Sequence, residues 1–260
     1  MMALVLAALF MPACGGGKPA ADPDVSTVEI TDSALIVDRD TGDYTAVVIV
    51  QNNGDSAVDD ITVEGTALDK DGGTIQPASD AEGLIGLSPY FGTVQPGERD
   101  AWIETSQPFG NGSTILGVFE DIPDTIDWKV TGVRAAKMKK SMGLSITGFE
   151  AGEAVTDEDG AVSASYTVTI QNSGDSDCEF SPGTQFCTTD QGDVWVRMIA
   201  VYRDGEGKIR GATELIPAAG ENMSCAAGES STFKCFNAGP YFDDPNPELY
   251  LSVALTEDDE

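Results

Sequence analysis

The chain has no histidine and few bases: 14 lysines and arginines stand against 44 aspartates and glutamates, a formal charge of −30. Without histidine there is no Ser-His-Asp or Cys-His arrangement and no imidazole ligand for a metal. A surface this acidic repels nucleic acid, so no nucleic-acid partner is expected. The acidity is not a tail. Residues 25–136 hold 20 acids and 5 bases, and residues 142–260 hold 22 and 5, so it belongs to the whole surface. Long apolar runs are missing as well. The run at residues 3–10, ALVLAALF, is far short of the roughly 20 residues that a membrane-spanning helix needs. No C-x-x-C spacing occurs, which argues against a thiolate metal site or a dithiol redox centre. Carboxylates alone could serve a glycosidase, but that chemistry needs a facing pair across a cleft, and these acids gather at turns. No enzyme and no cofactor are expected.

What is present is a repeat. Tyr44 to Ser56 reads YTAVVIVQNNGDS, and YTVTIQNSGDS returns at Tyr166 to Ser176. An apolar strand running into Gln-Asn-x-Gly-Asp-Ser twice predicts two copies of one β-unit. A chain of 260 residues has room for two such units of about 110 residues, each with its own core. The first is placed at 25–136, with candidate core residues Tyr44, Val48, Val50, Ile61, Val63, Trp102 and Trp128. The second is placed at 142–257, followed by an acidic tail at 258–260. Residues 137–141, rich in lysine, read as a basic linker. Tyr44 to Val50 is almost continuously apolar, as expected for a strand buried on both faces or in a sandwich core. Asp69-Lys70-Asp71-Gly72-Gly73 and Asp204-Gly205-Glu206-Gly207 read as hairpins. The hairpin offset, Ile75 to Ile209, exceeds that of the Gln-Asn motifs by 14 residues, placing an insertion between Ser176 and Val194.

The N-terminus has its own organisation. The apolar run suits the core of a secretion signal and is not part of the fold. Met11-Pro12-Ala13-Cys14 follows it, and this order of apolar run, small residue and cysteine resembles a bacterial lipoprotein signal. The resemblance implies removal of residues 1–13, diacylglycerol on Cys14 and attachment to a membrane through that lipid. Residues 14–24, rich in glycine and proline, form a flexible tether. Gly15 stands where an aspartate holds many lipoproteins at the inner membrane. By resemblance to that sorting rule, the outer membrane is the expected location.

Four cysteines remain. In an exported chain they predict two disulfides among Cys178, Cys187, Cys225 and Cys235, with three possible connectivities. Cys178–Cys187 closes a loop inside the insertion, and Cys225–Cys235 is the complementary pair. An extended Ser230 to Lys234 would hold the ends of that second pair apart, which a bulge or a crossing to the insertion cysteines would resolve. Asp38, Asp40 and Asp43 have calcium-like spacing but lack the rest of a calcium loop, so they are weak metal candidates. Acidic hairpin tips need no ion. Pro89-Tyr90-Phe91 and Pro240-Tyr241-Phe242 put aromatics in loops, where Tyr90, Phe91, Tyr241 and Phe242 could meet a surface glycan or another envelope protein.

The order strand, Asn-x-Gly turn, strand, Asp-Gly hairpin, strand, Pro-Gly-Glu turn resembles the FxLYD-type Ig-like domains of secreted bacterial proteins. Ile199 to Gly205 and Thr66 to Gly72 stand at their namesake strand end. That family implies an extracytoplasmic β-sandwich without a catalytic centre. The expected fold is all-β, two tandem antiparallel Ig-like sandwiches. The expected function is a lipid-anchored envelope protein acting as a non-catalytic binding or structural module. One alternative is a periplasmic accessory that helps assemble envelope proteins by offering an edge strand. A carbohydrate-active hydrolase is the remaining one.

Overall fold

The computed structural model describes residues 23–78, 89–106, 114–137, 142–156, 162–180, 186–189, 192–218, 223–244 and 246–255. The signal, Cys14, most of the tether, linker residues 138–141, the acidic turn at 157–161 and the tail lie outside these residues. The fold is all-β and antiparallel.

In the first repeat β1 (Val28–Val37), β2 (Tyr44–Asn52), β3 (Val58–Leu68), β4 (Arg99–Thr105) and β5 (Thr125–Ala135) form two sheets, β1-β2-β4 and β3-β5. A single helical turn, α1 (Ile115–Val118), closes one end. The core between the sheets holds Tyr44, Val48, Val50, Ile61, Val63 and Trp102, with the half-buried Trp128 edge-on to Trp102 at 6.1 Å. The runs Val28–Ile30 and Ala34–Val37 belong to one strand, kinked by a bulge between Ile30 and Asp32.

The second repeat runs through β6 (Leu144–Thr156), β7 (Val162–Asn172), β8 (Cys178–Phe180), β9 (Phe186–Thr189), β10 (Gly192–Arg203), β11 (Ile209–Pro217), β12 (Met223–Cys225), β13 (Ser230–Asn237) and β14 (Glu248–Leu255). Here β6-β7-β13 repeats β1-β2-β4, and β10-β14 repeats β3-β5. The β6 bulge between Ile146 and Gly148 answers the β1 bulge. β11 bridges the layers, pairing with β10 along its length and with β13 at its end.

The shared Gln-Asn motif does the same job in both copies. Asn52 Nδ2 donates to the carbonyls of Ser56 (2.8 Å) and Val94 (2.9 Å), while its Oδ1 accepts the Gly54 N–H. Asn172 makes the same three bonds with Ser176, Cys225 and Gly174. A fully buried amide with its groups satisfied ties each Asn-x-Gly turn to the strand beyond it. The hairpins also match bond for bond, Asp69 with Asp204, an offset of 135. The insertion is therefore 15 residues by hydrogen-bond equivalence, not the 14 expected from the isoleucines, because Thr74 rather than Ile75 stands opposite Leu68 as Ile209 stands opposite Arg203.

No strand ladder crosses between the repeats among the described residues, yet the repeats share a core. Val47, Ile49, Ala101 and Ile103 on the outer face of β1-β2-β4 pack on Ile199, Val201, Ile209, Ala212 and Tyr250 of the second repeat. The result is a stack in the order β3-β5, β1-β2-β4, β14-β10-β11 and β13-β7-β6, the last two being parts of one connected nine-stranded sheet. The seam also carries polar locks. Thr93 N donates to the Val253 carbonyl at 2.7 Å, and Ser252 Oγ donates to the buried Asp100 at 2.8 Å. Gly92 lies so close to β14 that a Cβ would fall 2.6 Å from the Val253 backbone. Arg99 and Arg203 both reach Glu248 at the rim, and Arg203 also reaches Asp32.

Candidate functional site

The turn between β1 and β2 is held by its own carboxylates. Asp38 Oδ1 accepts the Asp40 N–H at 2.8 Å and the Thr41 N–H at 3.3 Å. Asp43 accepts the Thr41 hydroxyl at 3.0 Å and the Ser106 hydroxyl at 3.1 Å. Ser106 in turn accepts the Tyr44 N–H. Side-chain oxygens closing their own turn are ordinary Asx chemistry. Among the described residues no group of three or more carboxylates or thiols is placed to share a metal ion.

The two aromatic loops do different things. Phe91 is not a surface residue; it is buried in the first core, where its segment is held to β14 through Gly92 and Thr93 and to β3 through Val94. Tyr90 lies across the seam against Trp195, ring centroids 5.3 Å apart. Tyr241 and Phe242 pack on the second core, with Phe242 at 4.7 Å from Tyr202. Phe242 lies over Gly211, where any Cβ would overlap the ring. The Arg210 guanidinium sits 5.8 Å from the same ring and pairs with Asp244 at 3.0 Å. The Asn246 N–H first, and then Arg210, hold the Asp244 carboxyl below its ordinary 3.8.

These pieces enclose a cleft of about 180 Å³ where the end of β1-β2 meets β11 and the loop after β13. Ile36, Tyr44, Pro240 and Phe242 supply apolar walls, and Asp38, Asp43, Ser106 and Arg210 supply the polar groups. Among the residues singled out in the sequence, Asp38, Asp43 and Phe242 come together here. Asp40, Tyr90, Phe91 and Tyr241 do not line it. Arg210, Ser106 and Thr45 were not legible as site residues. Gly211, breaking an apolar strand opposite Tyr202, was the one local sign that a ring lies across β11.

The cysteines divide. Cys178 and Cys187 form a disulfide, with α-carbons 5.6 Å apart on neighbouring strands. Cys225 and Cys235 are not bridged and keep buried thiols, contrary to the expectation of a second disulfide. β12 places Cys225 opposite Cys178, whereas extended β13 carries Cys235 away to face Tyr166. No family model matches the chain, and no curated protein matches it significantly.

Proposed function

We propose that the chain is a lipid-anchored cell-envelope protein, held in the outer membrane through Cys14, that acts as a non-catalytic binding or structural module. The observation that carries this reading is the separation of tether and cleft. The tether feeds β1 at Val28, beside Asn52, and the cleft opens where β1 ends and β2 begins. Ten residues at about 3.4 Å each put roughly 30 Å between them, so the cleft lies at the opposite end of β1 from the tether, as a binding module on an anchor would have it. The resemblance to lipoprotein signals and to FxLYD-type domains supports the same reading. Metabolic labelling with a palmitate analogue tests it. Label on the native chain, a mature N-terminus at Cys14 and release of Cys14→Ser into the soluble fraction are expected. An unmodified N-terminus elsewhere would sink the anchor.

A second reading, an accessory that offers an edge strand to other envelope proteins, has one observation in its favour. Residues 150–156 of β6 are exposed, and among the described residues β6 pairs only with β7. Surface labelling of intact cells separates the two: labelled protein favours outward display, protected protein favours the accessory.

A further inference from the structure

We infer that the seam cleft binds a single neutral sugar unit of a surface glycan. This rests on the reading of the chain as an outward-facing binding module and names the ligand class for it. Size is the first argument. About 180 Å³ is below the roughly 300–1,000 Å³ of sites that enclose a drug-sized ligand, so the cleft suits one small ring. Chemistry is the second. Its exposed lining is mainly apolar, from Ile36, Pro240 and Phe242, and suits the C–H face of a pyranose. The rim presents carboxylate acceptors at Asp38 and Asp43 and guanidinium donors at Arg210. A ligand hydroxyl both donates and accepts, so vicinal hydroxyls can satisfy both kinds of group at once. An ammonium ligand would only donate and would meet Arg210. A carboxylate ligand would only accept and would meet Asp38 and Asp43. Preorganisation is the third argument. Asp43 is fixed by Thr41 and Ser106, Phe242 by Tyr202, and Arg210 by Asp244, so the lining is in place before a ligand arrives.

The experiment uses the exported chain carrying Cys14→Ser, titrated separately with glucose, galactose, mannose and N-acetylglucosamine. The readout is the methyl signals of Ile36 and Thr45 by NMR. At least one sugar should shift both signals, with an affinity that does not change with salt, as expected of a neutral ligand. Arg210→Met and Asp43→Asn, each with an unchanged melting temperature, should weaken that binding about tenfold or more, the loss of one hydrogen bond to a charged group. Ile36→Trp, which fills the cleft and leaves the rim intact, should abolish it. No shift with any of the four sugars overturns the ligand class, while the anchor stands or falls by its own labelling test. Binding that leaves Ile36 and Thr45 unmoved overturns the site. Tighter, salt-sensitive binding of lysine amide overturns the neutral polyol in favour of a cation.

Discussion

Asp100 is a carboxylate with almost no access to water, set at the seam between Gly92, Ala101 and Ser252. Burial raises its pKa above the ordinary 3.8, against the bonds from Ser252, Gly92 and Ala101 and the field of Arg197. Between 3.8 and that raised value the folded chain keeps a proton that the unfolded chain has released. The stability linked to this group is therefore complete below 3.8 and is lost as pH rises through the folded value. Asp100→Asn carries no charge at any pH. Thermal melts should show the variant gaining on the native chain as pH goes from about 4 to about 7, and parallel curves would contradict this. Ser252→Ala leaves the carboxylate short of a donor and should cost about 1–3 kcal/mol. Asn52 and Asn172 are further buried polar residues that the fold leans on, each with three bonds. Asn52→Ala and Asn172→Ala should each cost about 2–3 kcal/mol in urea denaturation. A loss at one position alone would mean that the two turns are not equivalent.

At the scale of the strand, the two copies of one motif had already declared their places. β2 reads Ala46-Val47-Val48-Ile49-Val50 and is buried on both faces. Its counterpart β7 alternates, with Ser163, Ser165, Thr167, Thr169 and Gln171 on an open or half-open face. Loss of the period-2 pattern marks the strand inside the stack, and its retention marks the strand at the end. β10 also lacks alternation and also lies inside. Which inner sheet meets which was not legible, because that contact joins residues far apart in the chain and no local pattern encodes it. The cleft was half legible for the same reason. Asp43 and Phe242 sit in recognisable turns, but their approach depends on the seam. The cysteines follow suit: the short loop made Cys178–Cys187 one of three possible pairings, whereas the placement of Cys225 depends on β12 folding back on β8. Alkylation of the denatured, unreduced chain should label Cys225 and Cys235 and spare Cys178 and Cys187. Reduction should cost about 2–3 kcal/mol by releasing the short loop. Label on all four would remove the disulfide.

In the whole molecule the repeats stack head to tail. The β1-β2-β4 sheet of the first copy meets the β10-β14 side of the second, so the contact is heterologous and could in principle be extended by further copies. The outer faces prevent it. β3-β5 turns Thr62, Glu64, Thr66, Asp127, Lys129 and Thr131 to water, and β7 turns its serines and threonines outward. Polar end faces terminate a stack, as capping repeats do in longer arrays. Because the seam is apolar and carries Asp100, Ser252 and the Arg99–Glu248–Arg203–Asp32 rim, neither repeat should unfold without exposing it. The native chain should therefore melt in one transition that carries signals from both halves, and reduction of the disulfide should move that transition as a unit. Two repeats linked only through the chain would instead respond separately, the second alone to reductant. Val201→Asp puts an unpaired carboxylate between β10 and the first repeat, which a seam of this kind cannot solvate. The variant should split the melt into two transitions, with the disulfide-free first repeat insensitive to reductant and the second still sensitive. A single unsplit transition in Val201→Asp, lowered but still cooperative, would show that the seam is not what couples the two repeats.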